Sequence, residues 1–153
     1  MESTIDIKSS LEMAFAEFSK CVDFLGADKT LRALKNFRFS ESNIHDESVQ
    51  FVFEQVTARL DITIEELFHA RDWSLNRTMA IGICTKIFYW YFDYSANQIA
   101  LLLKKSKGSC WNNMKKFDKL DERFPTEKTI IDSYTIIRQN VELYLEKNPL
   151  PNG

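Results

Sequence analysis

Three side chains with hydrogen-bonding groups lie close together in the second half of the chain, among many lysines. Ser109, Asn112 and Asn113 would project from one helix. An asparagine amide can contact adenine with two hydrogen bonds, a serine hydroxyl can reach a base or a phosphate, and lysines neutralise phosphates. These three residues are therefore candidates for contact with DNA base edges. The phosphate-contact candidates are Lys105, Lys107, Lys115, Lys116, Lys119, Arg71 and Arg77.

No other group of residues in the sequence has the spacing of a catalytic site or a metal site. The four glycines are scattered, so neither a P-loop nor a dinucleotide-binding fingerprint occurs. His45 and His69 have no cysteine or second histidine at the spacing of zinc ligands. Cys21, Cys84 and Cys110 are odd in number and widely separated, which is typical of reduced thiols. The sequence predicts a protein that is not an enzyme and uses no metal, cofactor or nucleotide.

The distribution of charge supports a nucleic-acid partner, although the net charge of the chain is only −2. Residues 1–70 carry 7 basic and 13 acidic side chains, and residues 120–153 carry 4 basic and 6 acidic ones. Residues 71–119 carry 9 basic and 3 acidic side chains, which is a local charge of +6. The positive block coincides with the base-contact candidates, where phosphate contacts would be needed.

The sequence predicts a cytoplasmic protein with no membrane partner. The amino terminus, MESTIDIKSS, lacks the basic region and the apolar run of a signal peptide. The most apolar stretch, residues 79–92, contains Lys86 and is too short to span a bilayer.

Four glycines and three prolines in 153 residues leave little turn chemistry for hairpins, which favours an all-α protein. We predict a multi-helix domain containing a helix-turn-helix, with extra amphipathic helices at both ends. The expected parts are an N-terminal helical extension (1–50), a helix-turn-helix DNA-binding-like domain (51–121) and a C-terminal helix (122–153). The expected helices cover residues 5–25, a short segment after Asp28, 63–71, 96–104, 109–120 and 126–147, with a loop at 40–46. After that loop, a further helix carries an apolar stripe at Val49, Val52, Phe53, Val56 and Leu60. A long apolar helix, capped by Ser74 or Asn76 and ending near Phe92, is expected at the centre of the domain, and Ser95 with Gln98 predicts a capping box at the start of the helix that follows.

Two of these helices would form the functional unit. Ile99 on the first and Met114 on the second would pack inward, and the turn Ser106-Lys107-Gly108 would join them. A short helix, a tight turn containing glycine, and a second helix with polar residues outside is the helix-turn-helix pattern. The alternative interpretation is that two short helices simply pack together and the lysines form a solvated face.

The order of elements between residues 56 and 120 resembles the C-terminal DNA-binding domain of the bacterial chromosomal replication initiator (DnaA) family. Residues 56–67, VTARLDITIEEL, look like the family's opening helix and its I-(S/T)-x-E-D-L segment. Residues 94–100, YSANQIA, look like its L-S-L-x-x-I-G segment, and residues 107–111, KGSCW, fall at its D-H-(S/T)-T-V signature. The resemblance implies a Trp-repressor-like helix-turn-helix that binds double-stranded DNA in replication or transcriptional control.

Several residues depart from the family pattern. Lys107 and Gly108 replace the aspartate and histidine of the signature, and Cys110 replaces its second threonine. Ser109 is kept, and Asn113 stands where the family has a later histidine. The family's basic loop is reduced to Arg71 and Arg77.

The sequence leaves a second function open, a protein-protein interaction module on the same fold that has lost DNA binding. Acidic flanks and the altered signature favour it. The terminal amphipathic helices, including the stripe at Leu11, Phe15, Phe18, Val22 and Leu25, would pack on the domain, pair with a second copy as a homodimer, or bind another protein. Among the aromatic residues, Trp111 is expected in the core, whereas Tyr89 or Trp90 is expected at the surface, where single strands could stack.

Overall fold

The structure, a computed structural model, describes residues 4–43, 46–69 and 74–150, and these residues form eight helices and no strand. The helices are α1 (Thr4–Leu25), α2 (Ala27–Asn43), α3 (Glu47–Leu60), α4 (Ile64–His69), α5 (Leu75–Tyr91), α6 (Ala96–Leu103), α7 (Lys107–Asp118) and α8 (Pro125–Lys147). The predicted all-α class is confirmed. In the described part of the chain, no helix combines the length and the apolar character that crossing a membrane requires.

The chain divides into two compact units, Met1–Phe39 and Ser40–Gly153. The division comes earlier than the boundary expected after residue 50, and α8 falls within the second unit. The loop expected at 40–46 is wrong for Ser40–Asn43, which continue α2. No glycine or proline occurs between Gly26 and α3, so polar composition alone did not end the helix there.

In the first unit, most of the apolar stripe predicted on α1 is exposed. Gly26, with φ of 87°, separates α1 from α2. Phe15 is 68% exposed and Phe24 is 88% exposed, while Val22 is half-buried. The other large apolar side chains that the structure describes as exposed in this unit are Leu11, Met13, Phe18, Leu25, Leu31 and Leu34. The amphipathic pattern therefore correctly indicated a helix, but within this unit most of the apolar side chains of the stripe are exposed.

In the second unit, α5 is the central helix, as its apolar sequence predicted. It packs against α3, α4, α6, α7 and α8, and its buried residues face every direction around the helix axis. A helix that is apolar on all sides needs neighbours on all sides. Ser74 caps its first turn by accepting a hydrogen bond from the backbone N–H of Arg77 at 3.3 Å.

The helices α5 and α7 approach each other most closely at Gly82. A Cβ atom built on Gly82 would lie 2.5 Å from the backbone oxygen of Asn113. Ordinary Cβ contacts are found beyond 3.4 Å, so only glycine permits this approach. Gly82 thus sets the depth at which α7 rests on the core.

The helix α8 packs on α3 and also contacts α5. The rings of Phe51 and Tyr144 stack with centroids 4.2 Å apart. The Asn140 side-chain amide donates a hydrogen bond to Gln55 Oε1 at 2.8 Å. The C-terminal helix is therefore part of the same core as the helices that carry the candidate site.

Burial of Cys84 on α5 predicts a loss of stability in alkali. Burial raises the pKa of this thiol well above 9.0, the ordinary value for a cysteine. The unfolded thiol ionises near that value while the folded one stays protonated, so its contribution to stability is complete at neutral pH and declines as the pH rises above 9. At pH 10 the expected loss from this group is about 1.4 kcal/mol.

Urea unfolding at pH 7 and pH 10 measures this loss. Cys84→Ala should reduce the difference between the two pH values by the stated amount, whereas Cys21→Ala, at an exposed position, should not change it. An unaltered pH difference in Cys84→Ala would contradict the burial of this thiol.

Candidate nucleic-acid interface

The helices α6 and α7 are joined by only three residues, and local hydrogen bonds fix both ends of this turn. At the start of α6, Ser95 and Gln98 form the predicted capping box. At its end, Lys104 takes the left-handed conformation with φ of 55°. Ser106 then caps α7 by accepting a hydrogen bond from the backbone N–H of Ser109 at 3.1 Å.

The turn between α6 and α7 lies earlier in the chain than expected, and Gly108 is not part of it. The turn was predicted at residues 106–108 with Gly108 in it, and α7 instead begins at Lys107. Gly108 lies in the first turn of α7, where an added Cβ would meet no atom within 4 Å. Because Lys104 supplies the left-handed residue and Ser106 the cap, the connection does not need a glycine.

Two of the predicted phosphate-contact residues hold α4 in place instead. Arg77 is 8% exposed, and its Nε donates a hydrogen bond to the backbone oxygen of Glu66 at 3.0 Å. Lys105 Nζ donates to the backbone oxygen of Phe68 at 2.6 Å. Positive groups at the carboxyl end of a helix satisfy its last carbonyls and complement its dipole. In this structure Arg77 and Lys105 are therefore engaged with the end of α4, and they do not join the outward face of α7.

The environment of Lys105 agrees with this structural role. Burial, followed by the nearby charge of Arg77, lowers the pKa of the Lys105 ammonium below its usual value. A cation free to meet DNA would be solvated on the surface. The remaining arginine candidate, Arg71, lies outside the residues that the structure describes.

The outward face of α7 retains most of the candidates on this helix. Asn112 is exposed, and Ser109 is half-buried at the edge of the face. Four predicted phosphate-contact lysines are exposed on α7 or directly after it: Lys107, Lys115, Lys116 and Lys119. Residues three and four apart on a helix share a face, so Lys115, Lys116 and Lys119 line the same side as Asn112.

Asn113, the third predicted base-contact residue, does not belong to this face. The residue is 5% exposed, and its backbone lies against Gly82 at the crossing of α5 and α7. The inward stripe of α7 consists of Cys110, Met114 and Phe117, and Asn113 borders it. The apolar residues at 110, 114 and 117 were the signal in the sequence that could have assigned Asn113 to the inside.

The only acidic residue of α7 is neutralised by a neighbour. Asp118 accepts a hydrogen bond from Lys86 Nζ, and this lysine also lies over the Phe117 ring at 5.6 Å from its centroid. The pair anchors the end of α7 to α5. As a result, the exposed charge along α7 is positive throughout its length.

Three aromatic rings cluster where α5 meets α7. The sequence predicted a surface position for Tyr89 or Trp90 and a core position for Trp111. Trp90 is 68% exposed and Tyr89 is 38% exposed, which confirms the expected surface position. Trp111, expected in the core, is half-buried. Tyr89 contacts both tryptophans edge to face, each with ring centroids 5.2 Å apart. We call Tyr89, Trp90 and Trp111 the aromatic cluster.

Within the described residues, no three His, Cys, Asp or Glu side chains come together in a way that could hold a metal ion. Comparisons with protein families, with curated proteins and with solved structures found no match to this chain.

Proposed function

We propose that the chain binds double-stranded DNA through α7, with α6 and α7 acting as a helix-turn-helix in replication or transcriptional control. The observation that carries this proposal is the outward face of α7, where the exposed lysines Lys115, Lys116 and Lys119 lie on the same side as Asn112, Lys107 is exposed at the start of the helix, and the one carboxylate is paired. An α-helix with its side chains is about 10–12 Å wide, and the major groove of B-DNA is about 12 Å wide.

In this proposal the polar residues of α7 have different tasks. Asn112 reads a base edge, because its amide can donate and accept toward adenine. Ser109 reaches a base or a phosphate from the first turn of the helix. The lysines at 107, 115, 116 and 119 hold phosphates and fix the register of α7 on the duplex. Lys104 extends the basic surface at the turn, since it is exposed beside α7.

Titration of labelled random duplex at two salt concentrations tests this function. Four phosphate contacts predict that the logarithm of the binding constant falls with the logarithm of the salt concentration with a slope of about −3.6. The expected affinity at low salt is tighter than about 10⁻⁴ M, the weak end of non-specific binding. Binding weaker than this, or binding without dependence on salt, would contradict the proposal.

A protein-protein interaction module is the second candidate, and the first unit favours it. Among the described side chains of α1 and α2, eight large apolar ones are exposed, including Phe15 and Phe24. Large exposed apolar surfaces mark interaction sites. Light scattering measures whether the chain forms a homodimer through this apolar surface or stays monomeric and leaves the surface for another protein. Absence of duplex binding would favour protein interaction over DNA binding as the function.

A further inference from the structure

The aromatic cluster has more exposed ring surface than a role in the core requires. Trp90 has two thirds of its surface in contact with solvent, and its ring touches Tyr89 in an edge-to-face contact with an interplanar angle of 84°. A large apolar ring held at the surface by a neighbouring ring is a rigid platform, because its orientation is already fixed before anything binds.

The platform is continuous with the positive face of α7. Trp111 belongs to α7, and Lys107 and Lys115 lie one helical turn before and after it. Both lysines are exposed. Lys86, one turn before Trp90, is paired with Asp118. The helix α5 contains no acidic residue, and the nearest one in sequence to Trp90 is Asp93, which follows the end of the helix. Lysines on either side of Trp111, which contacts the same Tyr89 ring as the exposed Trp90, suit a ligand that combines flat apolar groups with regularly spaced anions.

We propose that the aromatic cluster stacks an unpaired base of DNA whose duplex part is held by α7. This inference rests on the proposed function and adds the form of its substrate, a duplex that continues into a single strand. In a duplex the base faces are covered by their neighbours, so only an unpaired base offers a face to Trp90. Exposed aromatic rings beside a positive groove are the usual means of binding single strands.

Three DNA molecules test this substrate form by anisotropy: a blunt duplex, the same duplex with a single-stranded thymidine tail, and the same duplex with an abasic tail. The abasic tail keeps the added phosphates and removes the bases. We expect the thymidine tail to bind about tenfold more tightly than the abasic tail, since base stacking on one aromatic ring supplies an effect of this order. Quenching of tryptophan fluorescence should accompany this binding.

Trp90→Ala should make the two tailed DNAs equal and leave the affinity for the blunt duplex unchanged. Trp90→Phe should restore part of the difference, because a smaller ring still stacks. Phe124→Ala, which removes an exposed ring outside the cluster, should leave the difference intact. Because Trp90 is exposed, its replacement does not open a cavity in the core.

Failure of the stacking inference and failure of the proposed duplex binding would appear in different measurements. Equal binding of the thymidine and abasic tails, or an equal loss for all three DNAs in Trp90→Ala, would overturn this inference. Absence of binding to the blunt duplex alone would overturn the proposed function, while a tail preference lost in Trp90→Ala would still support stacking. Absence of binding to every DNA would overturn both and would favour a protein partner for the cluster.

Discussion

Replacing Gly82 by alanine is expected to lower the free energy of unfolding by about 3 kcal/mol, the upper part of the range for overpacking in a core. The new Cβ would lie 2.5 Å from the backbone oxygen of Asn113. A flexible side chain could move aside, but a backbone oxygen within α7 cannot move without the helix. The contacts between α5 and α7 on either side of Gly82 would then open. This cost exceeds the gain of about 1 kcal/mol that alanine normally brings to a helix interior.

Gly108→Ala is the matched control, because it makes the same chemical change within α7. No atom lies within 4 Å of the position that its Cβ would take. The helix propensity of alanine should therefore act alone and stabilise the protein by about 0.5–1 kcal/mol. Urea unfolding of both variants measures the contrast. Equal stability of the two variants would contradict the close approach of α5 and α7.

The parts of the fold that the sequence predicted well depend on residues a few positions apart. The caps at Ser74 and Ser95 each bond to a backbone N–H three residues later, so their signal is local. The stripe of α3 repeats every three or four residues, and all of its predicted members are buried. Periodicity of this kind reports which face of a helix is apolar, but not which element covers it.

The positions of candidate-site residues that the sequence could not supply depend on contacts between residues far apart in the chain. Lys105 and its acceptor on Phe68 are separated by 37 positions, and Arg77 and its acceptor on Glu66 by 11. A basic side chain beside a candidate interface looks the same in the sequence whether it meets a phosphate or a helix carbonyl. Only the packing of α4 against α5 and the turn after α6 decides between the two. The exposed apolar stripe of α1 is a further example, because its periodicity predicts a helix but does not say which element covers its apolar face.

Replacing Lys107, Lys115 and Lys116 together by alanine is expected to weaken binding to all duplexes and to flatten its dependence on salt. All three side chains are exposed on α7, and each would release counterions from one phosphate. Removing three of four such contacts changes the slope from about −3.6 to about −0.9. The ratio of affinities between about 50 mM and 200 mM salt should therefore shrink by about 40-fold. Titrations of the same random duplex across this salt range measure both quantities.

The control for this variant must remove the same charge elsewhere, because any loss of three lysines makes the whole protein more negative. Lys29, Lys35 and Lys147 are exposed and lie outside the segment of local positive charge, so their joint replacement by alanine provides it. If net charge alone controlled binding, both variants would flatten the salt dependence equally. If α7 holds the phosphates, only the first variant does so. Lys115 and Lys116 also complement the dipole at the end of α7, and circular dichroism must show that this helix is retained. An unchanged slope in a folded first variant would remove α7 from the interface and leave protein interaction as the function that this surface supports.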